Sequence, residues 1–175
     1  MKETDKLCSE LDLLAIPYFR NPHLNIITLK AGYFPESISD KYRLVSDNYE
    51  GKAKAAVDAL KDNDFVYLHI EASDEAGHEG DVELKTKTIE YLDQRVVKYI
   101  IEETAKMDEE VAIAILPDHP TPCALKTHTR DAVPFTIYKP GINSDEVEVY
   151  DEFDTKKGVF GVVKGDEFIK LFLAK

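Results

Sequence analysis

The clearest pattern along the chain begins near Asp47. In NYEGKAKAAVDALKD the apolar residues Ala53, Ala56, Val57 and Leu60 fall on one face, which predicts an amphipathic helix. FVYLHI, Phe65 to Ile70, predicts a strand. The next stretch, the polar EASDEAGHEGD, has no apolar periodicity and is expected to be a loop. A long helix is expected from about Val82 to Met107, with Leu84, Ile89, Leu92, Val96, Ile100 and Ile101 turned inward. VAIAIL, Val111 to Leu116, is a continuous apolar run that suits a buried parallel strand. Strand, helix and strand of these lengths make a right-handed βαβ unit. Further on, VPFTIY (Val133 to Tyr138) predicts another strand, ended by KPGIN, and VEVY (Val147 to Tyr150) a short one. Asp166 is placed to cap a final helix, EFIKLFLAK, with Phe168, Leu171 and Phe172 as its apolar face.

The start of the chain carries a weaker pattern. Leu7, Leu11 and Leu14 lie at helical spacing after a Thr4 cap, whereas residues 17 to 46 are broken by Pro17, Pro22, Gly32 and Pro35. Asn25 to Lys30 is a strand candidate within that stretch. The expected organisation is an amino-terminal segment, residues 1–45, without an assigned fold, succeeded by an α/β domain over residues 46–175. The fold class expected is α/β, a layered sandwich around a largely parallel sheet. A chain of 175 residues has room for one such core.

Composition narrows the function. The formal charge is −12 and the pI near 4.8, which argues against nucleic acid or an anionic membrane as partner. A small anionic substrate would need local positive charge, and metal ions supply that more compactly than side chains. Cys8 and Cys123 sit in no Cys-x-x-Cys pattern, so neither a disulfide framework nor a thiolate zinc site is expected. The sequence shows neither a basic leader with an apolar run after it nor a stretch near the ~18 apolar residues of a membrane helix, and a cytoplasmic location is the expectation.

Ligands of open α/β sheets bind beyond the carboxyl ends of the strands. Asp74 and His78 come after the strand ending near Ile70, Asp118 and His119 after the one ending at Leu116, and His128 with Thr129 precedes the next. Each piece has a simpler reading: a hydrogen-bonded loop pair for Asp74 and His78, a capped turn for DHPTP, a surface histidine for His128. Together, three of the five histidines stand beside aspartates at strand ends, which favours a metal site. Adjacent extended residues point in opposite directions, so Asp118 and His119 suggest two neighbouring ions rather than one. Two metals about 3.5–4 Å apart clamp a transferring phosphoryl group. Glu71, Glu75 and Glu79 are candidates to accept from the imidazoles, and Lys85, Lys87, Lys126 and Arg130 to meet a phosphate. His69 and His23 are read as structural.

The segments SDNYEGKAKAAVDAL, HIEASDEAGHEGD and LPDHPTPCALKTHTRDAVPF resemble the carboxy-terminal part of the archaeal-type cofactor-independent (2,3-bisphosphoglycerate-independent) phosphoglycerate mutases, within the alkaline phosphatase superfamily of metalloenzymes. The resemblance runs from about Ser46 to the end, and it rests on Asp-x-x-x-His, then Asp-His-x-Thr-Pro, then His-Thr before Val-Pro. It implies up to two divalent ions, manganese, zinc or magnesium. Asp74, His78 and His128 would hold one, and Asp118 and His119 would belong to the other. It also implies interconversion of 2- and 3-phosphoglycerate in the complete enzyme, a glycolytic isomerase. The family's amino-terminal aspartate and phosphorylated serine find no match in residues 1–45, so no catalytic nucleophile or substrate-binding residue is assigned. The alternatives are a non-catalytic module that pairs with a second chain or forms a homo-oligomer, and a simple metal-dependent phosphatase.

Overall fold

In a computed structural model of the protein, residues 26–30 and 48–174 are described. The helix expected over residues 4–15 lies outside them. Two compact units emerge, one comprising the described residues up to Ser73 together with Glu83–Glu103, the other Asp74–Val82 with Thr104–Lys175. No helix among the described residues is long and apolar enough to cross a membrane.

In the first unit, β1 (Ile26–Lys30) pairs in parallel with β2 (Phe65–His69), in the register Ile26 to Phe65 through Lys30 to His69. Helix α1 (Tyr49–Leu60) starts at Asn48, whose side chain accepts the Gly51 N–H at 2.9 Å. A Cβ at residue 51 would lie 2.2 Å from that side chain, so a larger residue there would displace the cap. The predicted face is the buried one for Ala53, Ala56 and Val57, joined by Tyr49. The long helix is in fact three consecutive pieces: α3 (Val82–Tyr91), a π-helical stretch (Leu92–Val97) and α4 (Lys98–Thr104). Arg95, on the π-helical stretch, forms a two-pronged bond to Glu50 at 2.5 and 2.8 Å. Its guanidinium also lies over the rings of Tyr49 and Tyr91, 4.7 and 4.8 Å from their centroids. That bond holds the Glu50 carboxyl below its usual pKa and Arg95 above its own.

Two expectations fail between β2 and the second strand pair. The segment taken as a loop is helix α2 (Ala72–Glu79). Its only apolar spacing is Ala72 and Ala76, 3% and 0% exposed, too slight a signal to read as a helix in sequence. Asp74 and Glu75 in the first turn and His78 in the last suit the helix dipole, and Gly80, at φ +73°, ends it. Likewise β3 (Ile113–Ile115) pairs with β4 (Thr136–Tyr138), and does so antiparallel, rather than serving as the parallel strand of a βαβ unit. The connection between them, residues 116 to 135, folds back tightly enough to allow this. The one parallel pair among the described residues is β1 with β2.

The second unit contains α2 from Asp74, β3, β4 and α5 (Gly165–Leu173). VEVY forms no strand: Val147 N–H is taken by the Asp145 carboxylate at 3.0 Å, and the Tyr150 hydroxyl is turned to the carbonyls of Pro134 (3.1 Å) and Ile115 (3.3 Å). Desolvation of that hydroxyl, with Glu152 nearby, pushes the phenol up to about 12. Asp166 lies inside α5 rather than capping it; Glu167 reaches back to accept the Lys164 N–H at 3.3 Å. Phe168 meets Phe135 edge-on at 5.3 Å, and Phe135 meets Phe160 at 5.9 Å. Lys139 Nζ donates to the carbonyls of Leu171 and Ala174, closing the carboxyl end of α5.

Because Arg95 combines a partly exposed ion pair with two ring contacts, Arg95→Ala is predicted to destabilise the protein by about 1–2 kcal/mol. Arg95→Lys should recover only part, since the ammonium cannot reproduce the fork. Urea unfolding measures both, and an Arg95→Lys variant as stable as the parent would contradict this account.

Candidate metal centre

All five residues singled out in the sequence lie in the second unit. Helix α2 places Asp74 and His78 four residues apart on one face, with Asp74 Oδ2 3.5 Å from His78 Nε2. Asp118, His119 and His128 come from the connection between β3 and β4. Thr129 N–H donates to the Pro120 carbonyl at 3.0 Å, which folds this connection back on itself and brings His128 to His119. The two imidazoles stack with centroids 3.6 Å apart. His78 Nε2 and His128 Nε2 face each other at 2.9 Å.

Asp74 is the hub. Its Oδ1 lies 3.5 Å from His128 Nε2 and 3.8 Å from His119 Nδ1, while Oδ2 serves His78. Ligand atoms of Asp74, His119 and His128 all lie within 4.8 Å of one another. Asp118 stands further out: its Oδ1 accepts the His119 N–H at 2.9 Å and its Oδ2 is 3.2 Å from His119 Nε2.

Bonds of about 2.0–2.1 Å in tetrahedral coordination put neighbouring ligand atoms about 3.3 Å apart. The separations of 2.9 and 3.5 Å among His78, His128 and Asp74 bracket that value. A carboxylate with imidazoles is also a donor set that zinc, manganese and related ions accept. The residues therefore fit a divalent cation.

Sequence reasoning missed two participants. Thr121, 3% exposed, donates its hydroxyl to Asp74 Oδ1 and lies 3.3 Å from His119 Nδ1. Its only trace in the sequence is its place in Asp-His-x-Thr-Pro. The second is the backbone of Lys126, whose carbonyl lies 3.1 Å from His78 Nδ1; no side-chain pattern could have shown it. Glu71, expected to serve a site imidazole, lies instead 3.9 Å from His69. Of the candidate cations, Lys85 and Lys87 lie on α3, with Lys87 Nζ 5.5 Å from the Tyr91 ring centroid.

The sequence profile of the Metalloenzyme superfamily matches residues 36–175, and the chain belongs to that superfamily. Among individual proteins, it is 50% identical over 129 residues to a 2,3-bisphosphoglycerate-independent phosphoglycerate mutase of Methanosarcina mazei, covering 72% of this chain and 32% of that protein. A protein of the same description from Pyrococcus horikoshii is 38% identical over 141 residues, covering 81% of this chain and 33% of the relative. The chain thus spans about a third of the length of the curated relatives it matches. A solved structure of the PH0037 protein from Pyrococcus horikoshii superposes with a TM-score of 0.73 at 32% identity, over 86% of this chain and 48% of that one.

Thr121→Val keeps the shape but leaves the part-buried Asp74 oxygen without its hydroxyl donor. It is predicted to cost about 1–3 kcal/mol in urea unfolding, with Thr121→Ser close to the parent. Equal stability of all three proteins would remove Thr121 from the site.

Proposed function

We propose that this chain is the metal-binding portion of a phosphoglycerate-mutase-like phosphotransferase, with Asp74, His78, Asp118, His119 and His128 as ligands of one or two divalent ions. The observation that carries the reading is the convergence of Asp74, His119 and His128 ligand atoms within 4.8 Å, with His78 Nε2 2.9 Å from His128 Nε2. The descriptions of its relatives supply the substrate class, a small phosphorylated acid such as phosphoglycerate. Manganese, zinc or magnesium bound here would draw charge from phosphoryl oxygens as they transfer. The chain's own contribution is to aim the donors. Thr121 fixes one Asp74 oxygen, α2 turns the other towards His78, and Asp118 holds His119 through its backbone N–H and ring.

A mutase returns the phosphoryl group to a different hydroxyl and so needs a nucleophile that carries it in between. We assign that serine, unmatched in residues 1–45, to another part of a complete enzyme, and the functional domain here to residues 46–175. A cytoplasmic setting and a largely parallel sheet in the complete fold belong to the same reading.

Titrating metal-free protein with manganese or zinc tests it. Binding to the folded state alone stabilises by about 2.7 kcal/mol at one hundred times Kd, a rise in Tm of roughly 5–10 °C. His128→Ala should lose most of that rise. An unchanged Tm at saturating ion rules the reading out.

A second reading, an interaction module, is favoured by one segment. Phe153, Val159 and Val162 are 75%, 75% and 87% exposed within ten residues of one another. A homo-oligomer or a complex with a second chain would cover them. Sedimentation of the protein alone, and mixed with the unmatched part of the Methanosarcina mazei relative, decides: a monomer in both runs eliminates this alternative.

A further inference from the structure

We infer that Lys126 and Gly80 form a positioning pair that fixes which nitrogen of His78 carries hydrogen, and so aims the other at the ligand cluster; this rests on the metal-centre reading above. Lys126 has φ +54°, the only non-glycine residue with positive φ among those described. L side chains rarely adopt that conformation, and lysine, unlike asparagine, has no short polar group to ease it. The turn that imposes it is closed by two hydrogen bonds, from Leu125 N–H and Lys126 N–H to the same Pro122 carbonyl, both 2.9 Å.

The strained conformation has a local result. It presents the Lys126 carbonyl to His78 Nδ1 at 3.1 Å. A carbonyl oxygen only accepts, so Nδ1 must carry the hydrogen, and in the neutral ring Nε2 keeps its lone pair. Nε2 is the atom that faces His128 Nε2 at 2.9 Å and Asp74 Oδ2 at 3.5 Å. An imidazole with its outer N–H on a backbone carbonyl is held in both tautomer and ring orientation, which is how metal-ligating histidines are ordinarily set.

Gly80 makes the arrangement possible. It ends α2 two residues after His78, with φ +73°. A Cβ there would lie 2.4 Å from Lys126 Cε, 3.1 Å from Lys126 Nζ and 3.1 Å from the Cys123 carbonyl oxygen. The lysine stem therefore runs across the glycine, and its ammonium lies at the carboxyl end of α2, where the helix dipole favours a cation. A side chain at residue 80 would displace the end of the Lys126 stem, press on the Cys123 carbonyl of the same turn and hold a backbone conformation that L residues rarely adopt, all beside the carbonyl that meets His78. The pair acts on the ligand cluster through His78.

Nitrogen NMR of the His78 ring in metal-free protein reads the tautomer directly, and calorimetric titration with zinc or manganese reads its consequence. The parent should carry its hydrogen on Nδ1. Gly80→Ala should give mixed tautomers and bind the ion about tenfold more weakly. Lys126→Gly, which keeps the carbonyl and relieves the backbone, should match the parent within about twofold, whereas Lys126→Val, whose branched Cβ resists positive φ, should resemble Gly80→Ala. The double variant Gly80→Ala, Lys126→Gly removes the lysine clash but keeps the approach to the Cys123 carbonyl and the strain at residue 80, and should recover part of the tautomer and the affinity. Circular dichroism confirms that each variant folds; should Gly80→Ala fail to fold, the contrast between Lys126→Gly and Lys126→Val still decides. A parent ring with hydrogen on Nε2, or an unshifted tautomer in both Gly80→Ala and Lys126→Val, overturns the inference. A parent that binds no ion removes the metal reading instead, and the NMR result then judges the pair by itself.

Discussion

Three imidazoles gathered around one carboxylate put several lone pairs in a small space, and such a group stays together only if each ring nitrogen has a defined role. Asp74 supplies the order. With one oxygen turned to His78 and the other to His128, His119 and the Thr121 hydroxyl, it brings all three rings to one side chain. The rest of the second unit serves this arrangement: α2 sets the spacing of Asp74 and His78, and the connection between β3 and β4 delivers the other two rings. A cation in the middle would replace repulsion among lone pairs with coordination. The same carboxylate then works in both situations, as hydrogen-bond acceptor and as ligand.

The first unit holds itself together by different means. Among the described residues its buried side chains include Tyr49, Ala53, Ala56 and Val57 on α1, Leu84 and Thr88 on α3 and Val96 on the π-helical stretch. The Arg95 fork, flanked by two tyrosine rings, ties α1 to the π-helical stretch. The extra residue in a π turn rotates the succeeding side chains relative to a regular helix, and such turns often mark positions where a side chain must be aimed. Here the side chain aimed from that stretch is Arg95.

Much of the site was legible because its chemistry lies in side chains at short, fixed spacings. Asp74 with His78, and Asp118 with His119, are visible as pairs in any reading of the sequence, and the motifs around them led to the family that the comparisons show. The features that could not be read are as informative. The α2 segment reads as a loop because two alanines carry its whole apolar signal; its helicity comes from burial of those alanines and from its charged ends. The antiparallel pairing of β3 with β4 is invisible to periodicity, since VAIAIL looks the same whether its partner runs with it or against it. Strand direction is set by how the intervening segment folds, here by turns and backbone hydrogen bonds at Pro120 and Pro122. The roles of Thr121 and of the Lys126 carbonyl escape the sequence for a related reason: one acts through a hydroxyl that many buried threonines share, the other through the main chain.

The hydrogen bond from Thr129 to Pro120 has a thermodynamic reach beyond geometry. It closes a ring of chain that carries Thr121, Lys126 and His128, with His119 next to it, so the freedom of that segment is lost when the domain folds and not when an ion arrives. Capture of the cation would then order little besides the ion and the water it sheds, and the affinity would reflect the ligands rather than the making of a loop. Exchange of one metal for another at such a mouth leaves the polypeptide nearly as it was, which lets the surrounding supply of ions choose the occupant.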